Sequence, residues 1–148
     1  MDNSFADIAS RADELGKFIT AHPRTKRYAG ALEVVVTDLH DAALKKAMEM
    51  GATRTVNVAL EPGLKAEEFV ADKGYFDVAI ECTGAAPVLR DVIPALRPRG
   101  TIVQVGVTGE VPIPINAIVG KEINLRGAFR FHGEYALAAR LIKEGRIN

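Results

Sequence analysis

The chain has 148 residues, 48% of them apolar and 26% charged, and its 19 basic and 19 acidic side chains cancel to a formal net charge of zero. That is the length and composition of one globular α/β-sized domain, with no excess of positive charge to favour nucleic acid or an anionic membrane as a partner. No apolar run approaches the roughly 20 residues of a bilayer span, and a single cysteine, Cys82, excludes an intramolecular disulfide and points to a reducing, cytoplasmic setting.

In chain order, the first segment carries Asp2, Asp7, Asp13 and Glu14 and lacks the apolar core of a signal peptide. Ser4 and Asp7 have capping-box spacing. Phe5, Ile8, Ala12, Leu15 and Ile19 then recur at helical spacing, so an amphipathic helix is expected, ended by His22-Pro23. The basic stretch 24–30 reads as a solvated connector. Residues 1–29 thus form one segment and residues 30–148 a second, in which strands and helices alternate.

A run of valines predicts a buried strand over 31–37. A helix follows from Asp41 to Met50, with Leu44, Ala47 and Met48 on one face and Gly51 as its stop. Thr55 to Val58 is a short strand, and Leu64 to Asp72 a helix. Phe76 to Glu81 is a strand, Pro87 to Leu96 a helix, and Thr101 to Val105 a strand. The proline-punctuated stretch 111–116 reads as an edge or crossing segment. Residues 122–127 make an outer strand, and Tyr135 to Glu144 a closing helix capped by Gly145. Such alternation implies a parallel sheet covered by helices on both faces.

The first of these strands ends in Asp38, as the second strand of a dinucleotide-binding fold ends in an acid that holds the adenosine ribose. The Gly-x-Gly-x-x-Gly turn that should stand about twenty residues upstream is absent from the sequence. The fold class expected is therefore α/β, a Rossmann-like parallel sheet incomplete at its first βα unit and preceded by an N-terminal amphipathic helix. Residues 15–20 are an alternative source of a replacement strand.

From Gly30 to Asn148 the chain resembles the coenzyme domain of the zinc-type medium-chain dehydrogenases, and most of all their sorbitol and L-idonate 5-dehydrogenase branch. The resemblance is carried by Val34-Val35-Val36-Thr37-Asp38, Met50-Gly51-Ala52, and Phe76 to Gly84 with its Glu81-Cys82-Thr83-Gly84. It continues in Leu96 to Gly106 and in Gly127-Ala128-Phe129-Arg130-Phe131. It implies an NAD-linked oxidoreductase acting on a polyol or sugar acid, whose zinc sits in a separate catalytic domain. This chain carries neither that domain's zinc ligands nor a catalytic residue. It reads as a truncated coenzyme domain, inactive alone and binding no metal. A residual, weak NAD- or adenosine-binding module and a non-binding α/β scaffold remain as alternatives.

Within that resemblance, Asp38 is the ribose ligand and favours NAD over NADP, against a plain reading as a solvated acid at a strand end. Family members often carry a cation five residues later, where this chain has Ala43; Lys45 or Lys46 is a substitute only if not spent on the helix surface. Cys82, Thr83 and Gly84 are expected to line the coenzyme groove, with the Cys82 thiol packed rather than reactive. Val105, Gly106 and Val107 are placed near the nicotinamide carboxamide, and Phe129 and Arg130 at the substrate mouth. The resemblance also implies a homo-oligomer built through residues 111–127, with neither nucleic acid nor membrane as partner.

Overall fold

The structure, a computed structural model, describes residues 31–107, 109–131 and 133–146. The helix and connector expected over 1–29 lie outside the described residues, as does His132. The chain divides into two compact units, Pro62–Arg130 and the remainder.

In the remainder, β1 (Val35–Asp38) and β2 (Arg54–Asn57) pair in parallel, with Val35 opposite Arg54 and Asp38 opposite Asn57. The helix α1 (Asp41–Glu49) connects them and buries Leu44. Its expected partner on that face, Met48, is exposed instead. Gly51, at φ +103°, stops the helix as expected, since only glycine enters that region without strain. The first strand is shorter and less buried than the valine run predicts. Leu32 is 95% exposed, and the four strand residues are half-buried. Pairing starts only where the Thr53 hydroxyl donates to the Val34 carbonyl at 2.9 Å and accepts from the Val34 N–H at 2.7 Å. The closing helix α5 (Glu134–Lys143) buries Leu141 and ends at Gly145, φ +64°.

In the unit Pro62–Arg130 three parallel strands run in the order β3 (Phe76–Glu81), β4 (Leu96–Gln104), β5 (Asn124–Gly127). The helix expected over 64–72 is broken. It consists of a 3-10 turn at Gly63–Lys65, the short helix α2 (Glu67–Val70) and another 3-10 turn at Ala71–Lys73. Ala66 is extended and Asp72 is left-handed, so no continuous ladder of hydrogen bonds forms. What these turns accomplish is the burial of Phe69 against Tyr75 and Phe76, with ring centroids 5.6 and 5.0 Å away.

The helix α3 (Ala86–Ala95) packs Leu89, Val92 and Ile93 with Leu96, Ile102 and Ile123 into the core of this unit. Residues 111–114 form no strand. A short helix α4 (Ile115–Gly120), which the prolines concealed, follows them, and the outer strand starts at Asn124 rather than 122.

Where α3 ends, its last carbonyls are closed by a side chain from a distant loop. Lys121 Nζ donates to the carbonyls of Ile93 at 3.0 Å, Pro94 at 2.8 Å and Leu96 at 2.7 Å. A helix C-terminus leaves such carbonyls unpaired and attracts a cation. Desolvation in this position lowers the Lys121 pKa. Replacing Lys121 with Met keeps the stem and removes the charged donor. It should lower the stability of the unit by about 1–2 kcal/mol, read as a lower urea midpoint at unchanged slope.

Candidate functional site

Parallel register sets the carboxyl edge of the three-stranded sheet. Glu81 stands opposite Gln104, and Gln104 opposite Gly127, so the last residues of β3, β4 and β5 share one row. In open parallel α/β sheets ligands bind outside this edge.

Glu81 is 2% exposed, and its carboxylate organises both neighbouring turns. The Thr83 N–H donates to Oε1 at 2.7 Å, and the Gly84 N–H reaches both oxygens at 3.1 Å. The Thr83 hydroxyl and Gln104 Nε2 donate to it as well. Burial by itself would raise the pKa of this acid. The hydrogen bonds from Thr83, Gly84 and Gln104 outweigh burial and hold the carboxyl below its ordinary value. The Glu81 carbonyl accepts from the Val105 and Gly106 N–H groups at 2.8 and 2.9 Å, and Gln104 Nε2 also donates to the Gly106 carbonyl at 2.8 Å. The turns after β3 and β4 are therefore tied together through one residue.

Those turns also touch backbone to backbone. A Cβ on Gly106 would collide with the Gly84 amide nitrogen and lie 2.6 Å from Glu81 Oε2; one on Gly84, at φ +69°, would strike the Val107 carbonyl. The amide of Gln104 can face only one way, since its oxygen would otherwise oppose the carboxylate. Its Oε1 is left buried and without a partner.

The site residues expected in this unit fall into two groups. Thr83, Gly84 and Gly106 belong to the clamp. The Thr83 hydroxyl, expected to face a coenzyme, is spent on Glu81 and on accepting the Ala85 N–H at 3.0 Å. Cys82, Val105, Val107, Phe129 and Arg130 are exposed. Cys82 is thus exposed rather than the packed thiol expected. Desolvation of its sulfur, then the adjacent Glu81 charge, raise its pKa and make it a poor nucleophile. Arg130 adopts φ +57° and sets its guanidinium 5.1 Å from the Phe129 ring centroid. The Glu81–Gln104 pair is what sequence reasoning missed; a buried acid and an amide at the ends of two adjacent strands were the available signal.

In the other unit, Asp38 closes β1 half-buried. Its Oδ1 accepts the His40 N–H at 2.9 Å, which anchors the side chain and, among the described residues, leaves Oδ2 open. Asn57, opposite it in the ladder, donates to Asp41 Oδ1 at 2.6 Å. Lys46 pairs with Glu49 at 3.2 Å on the exposed helix surface, and Lys45 is exposed beside it.

The family model described as zinc-binding dehydrogenase matches residues 25–144. The chain belongs to the zinc-binding dehydrogenases. It is 38% identical over 120 residues to L-idonate 5-dehydrogenase (NAD(P)(+)) of Escherichia coli K12, a match that covers 80% of this chain and 34% of that enzyme. The crystal structure of L-idonate 5-dehydrogenase from Escherichia coli K-12 matches with TM-score 0.77 and 28% identity, over all of this chain and 49% of that one. A structure from Sinorhizobium meliloti 1021, assigned to the zinc-binding dehydrogenases and bound to NADP, matches with TM-score 0.75 and 28% identity over 84% of this chain and 38% of that one. This zinc-binding dehydrogenase chain thus spans about a third of the curated relative's length, and its α/β fold with parallel strands is the Rossmann-like one of these dehydrogenases.

The residues of this zinc-binding dehydrogenase chain fit the two groups its family binds unequally. Among the described residues no group of three or more His, Cys, Asp or Glu side chains is placed to hold a metal ion, so they do not fit the zinc. Asp38, with one carboxylate oxygen anchored and the other open, fits a ribose diol. Among the described residues no helix is long and apolar enough to cross a membrane.

Two outcomes follow from the clamp. Gly106→Ala should lower stability by about 1–3 kcal/mol, the cost of overpacking, because the backbone of the facing turn has to move; thermal unfolding of the purified variant measures it. The second concerns acid. Since the folded-state pKa of Glu81 is depressed, its ionisation stabilises the fold above its ordinary pKa, and that contribution disappears as pH falls through the depressed value. Glu81→Gln should therefore show a shallower loss of denaturant midpoint between pH 6 and pH 3 than the parent chain.

Proposed function

We propose that this chain is the coenzyme-binding part of a zinc-dependent, NAD-linked dehydrogenase that oxidises a secondary alcohol on a polyol or sugar acid. The observation that carries the reading is Asp38, a fixed carboxylate at the carboxyl end of β1 with an oxygen left open, in a chain whose family is that of the zinc-binding dehydrogenases. An acid there accepts ribose hydroxyls and repels a 2′-phosphate, which favours NAD over NADP. With no Gly-x-Gly-x-x-Gly turn to cradle the pyrophosphate, affinity falls to roughly hundreds of micromolar or weaker.

Self-association through residues 111–127 belongs to the same reading. All four residues of β5 are exposed, and Ile113, Ile115, Val119 and Leu125 are exposed in the same stretch. An outer strand of this kind is a template for pairing with a second copy.

Calorimetric titration tests the coenzyme reading. NAD should bind the parent chain, NADP should bind at least tenfold more weakly, and Asp38→Ala should abolish the heat with NAD. No heat at millimolar NAD would reject coenzyme binding and leave a non-binding scaffold.

A further inference from the structure

We infer that a cleft between α3 and the segment 111–114 binds a small organic carboxylate with a compact apolar body, the carboxylate being held by Arg90. The cleft, of about 330 Å3, is lined by Ala86, Pro87, Arg90, Pro112, Ile113 and Pro114. It lies wholly within the unit Pro62–Arg130. Neither Asp38 nor the Glu81 turns take part in it, so it stands apart from the coenzyme reading.

Charge is the first argument. Arg90 is the only charged side chain of the lining. It is exposed, and among the described residues its guanidinium has neither an ion pair nor a hydrogen-bond acceptor. The acids close to it in sequence on the two walls are placed elsewhere: Asp91 pairs with Lys65 at 3.0 Å, and Glu110 is outside the lining. A guanidinium stays charged at every ordinary pH, offers donors and no acceptor, and gives up water more readily than an ammonium. Its geometric match is a carboxylate, which it grips through paired hydrogen bonds.

The walls are the second argument. Apart from Arg90 the lining is entirely apolar, and three of its residues are prolines with locked φ. Pro87 sits in the first turn of α3, and Pro114 stands at the start of α4. The Val88 N–H donates to the Ala85 carbonyl at 3.0 Å, and the Ile115 and Ala117 N–H groups donate to the carbonyls of Ile113 and Pro114 at 2.8 and 2.9 Å. Both walls are therefore held before a ligand arrives, and binding costs little backbone order. The volume is at the small end of the range for small-molecule sites, which admits a carboxylate on a body of about one ring. An inorganic anion would leave the apolar walls wet, and a neutral hydrocarbon would leave Arg90 without its acceptor.

The test titrates the 148-residue chain with benzoate, reading amide NMR shifts at Ala86, Arg90 and Ile113. Acetate, which lacks the apolar body, and methyl benzoate, which lacks the charge, are titrated in parallel. Benzoate should give saturable shifts at these amides at millimolar concentration, with acetate and methyl benzoate each binding at least fivefold more weakly. Arg90→Met should weaken benzoate about tenfold, the loss of one charge-assisted contact. No saturable shift with benzoate would overturn the inference. So would acetate binding as well as benzoate, which would reduce the site to surface charge, or methyl benzoate doing so, which would reduce it to an apolar crevice. If Arg90→Met does not fold, Arg90→Lys keeps the charge and loses the planar fork. It should weaken benzoate about threefold, and unchanged affinity in the folded variant would overturn the inference.

Discussion

A carboxylate withdrawn from water keeps its charge only if donors surround it. Glu81 meets that condition by drawing in the N–H groups of the turn behind it and the side-chain amide of the next strand. The carboxyl edge of the three-stranded sheet takes its form from this requirement. Thr83 turns back because its N–H and hydroxyl are both claimed, Gly84 follows with a positive φ, and Gly106 must be glycine because the turn before it passes so close. Exposed ion pairs such as Arg97–Asp77 and Arg99–Glu122 contribute little by comparison, since solvent screens them.

The two strand-terminal acids among the described residues have opposite fates. Glu81 is saturated with internal donors and has little capacity for anything else, whereas Asp38 accepts one backbone N–H and keeps an oxygen open. That difference separates an internally satisfied acid from one with acceptor capacity to spare. Both occupy the same kind of position, the last residue of a parallel strand, so position by itself does not distinguish them; the donors within reach do.

Much of this was legible beforehand. The strand over 76–81, the helices after it and at the C-terminus, and the glycine stops at 51 and 145 all follow from periodicity and from the backbone freedom of glycine. The family, too, could be recognised from short runs of sequence. What stayed hidden depends on contacts between distant residues. The apolar pattern of 64–72 signals burial of Phe69 but not the extended Ala66 and left-handed Asp72 that break the helix. The prolines at 112 and 114 suggest an extended edge, yet Pro114 stands at the start of a short helix, a position where its missing N–H costs nothing. The role of Gln104 emerges only from the register that brings it beside Glu81.

The cap on α3 bears on the order in which the chain can be built. The three carbonyls that Lys121 closes lie 25 to 28 residues before it. During synthesis from the N-terminus, these three carbonyls therefore emerge before the ammonium that closes them, while the Ala95 carbonyl has its donor, the Tyr75 N–H, already in the chain. Until Lys121 arrives, nothing ties that helix end to the loop after α4. The last part of this helix end to be completed is thus set by a residue made well after the helix itself, and a chain stopped before Lys121 would leave those carbonyls to water.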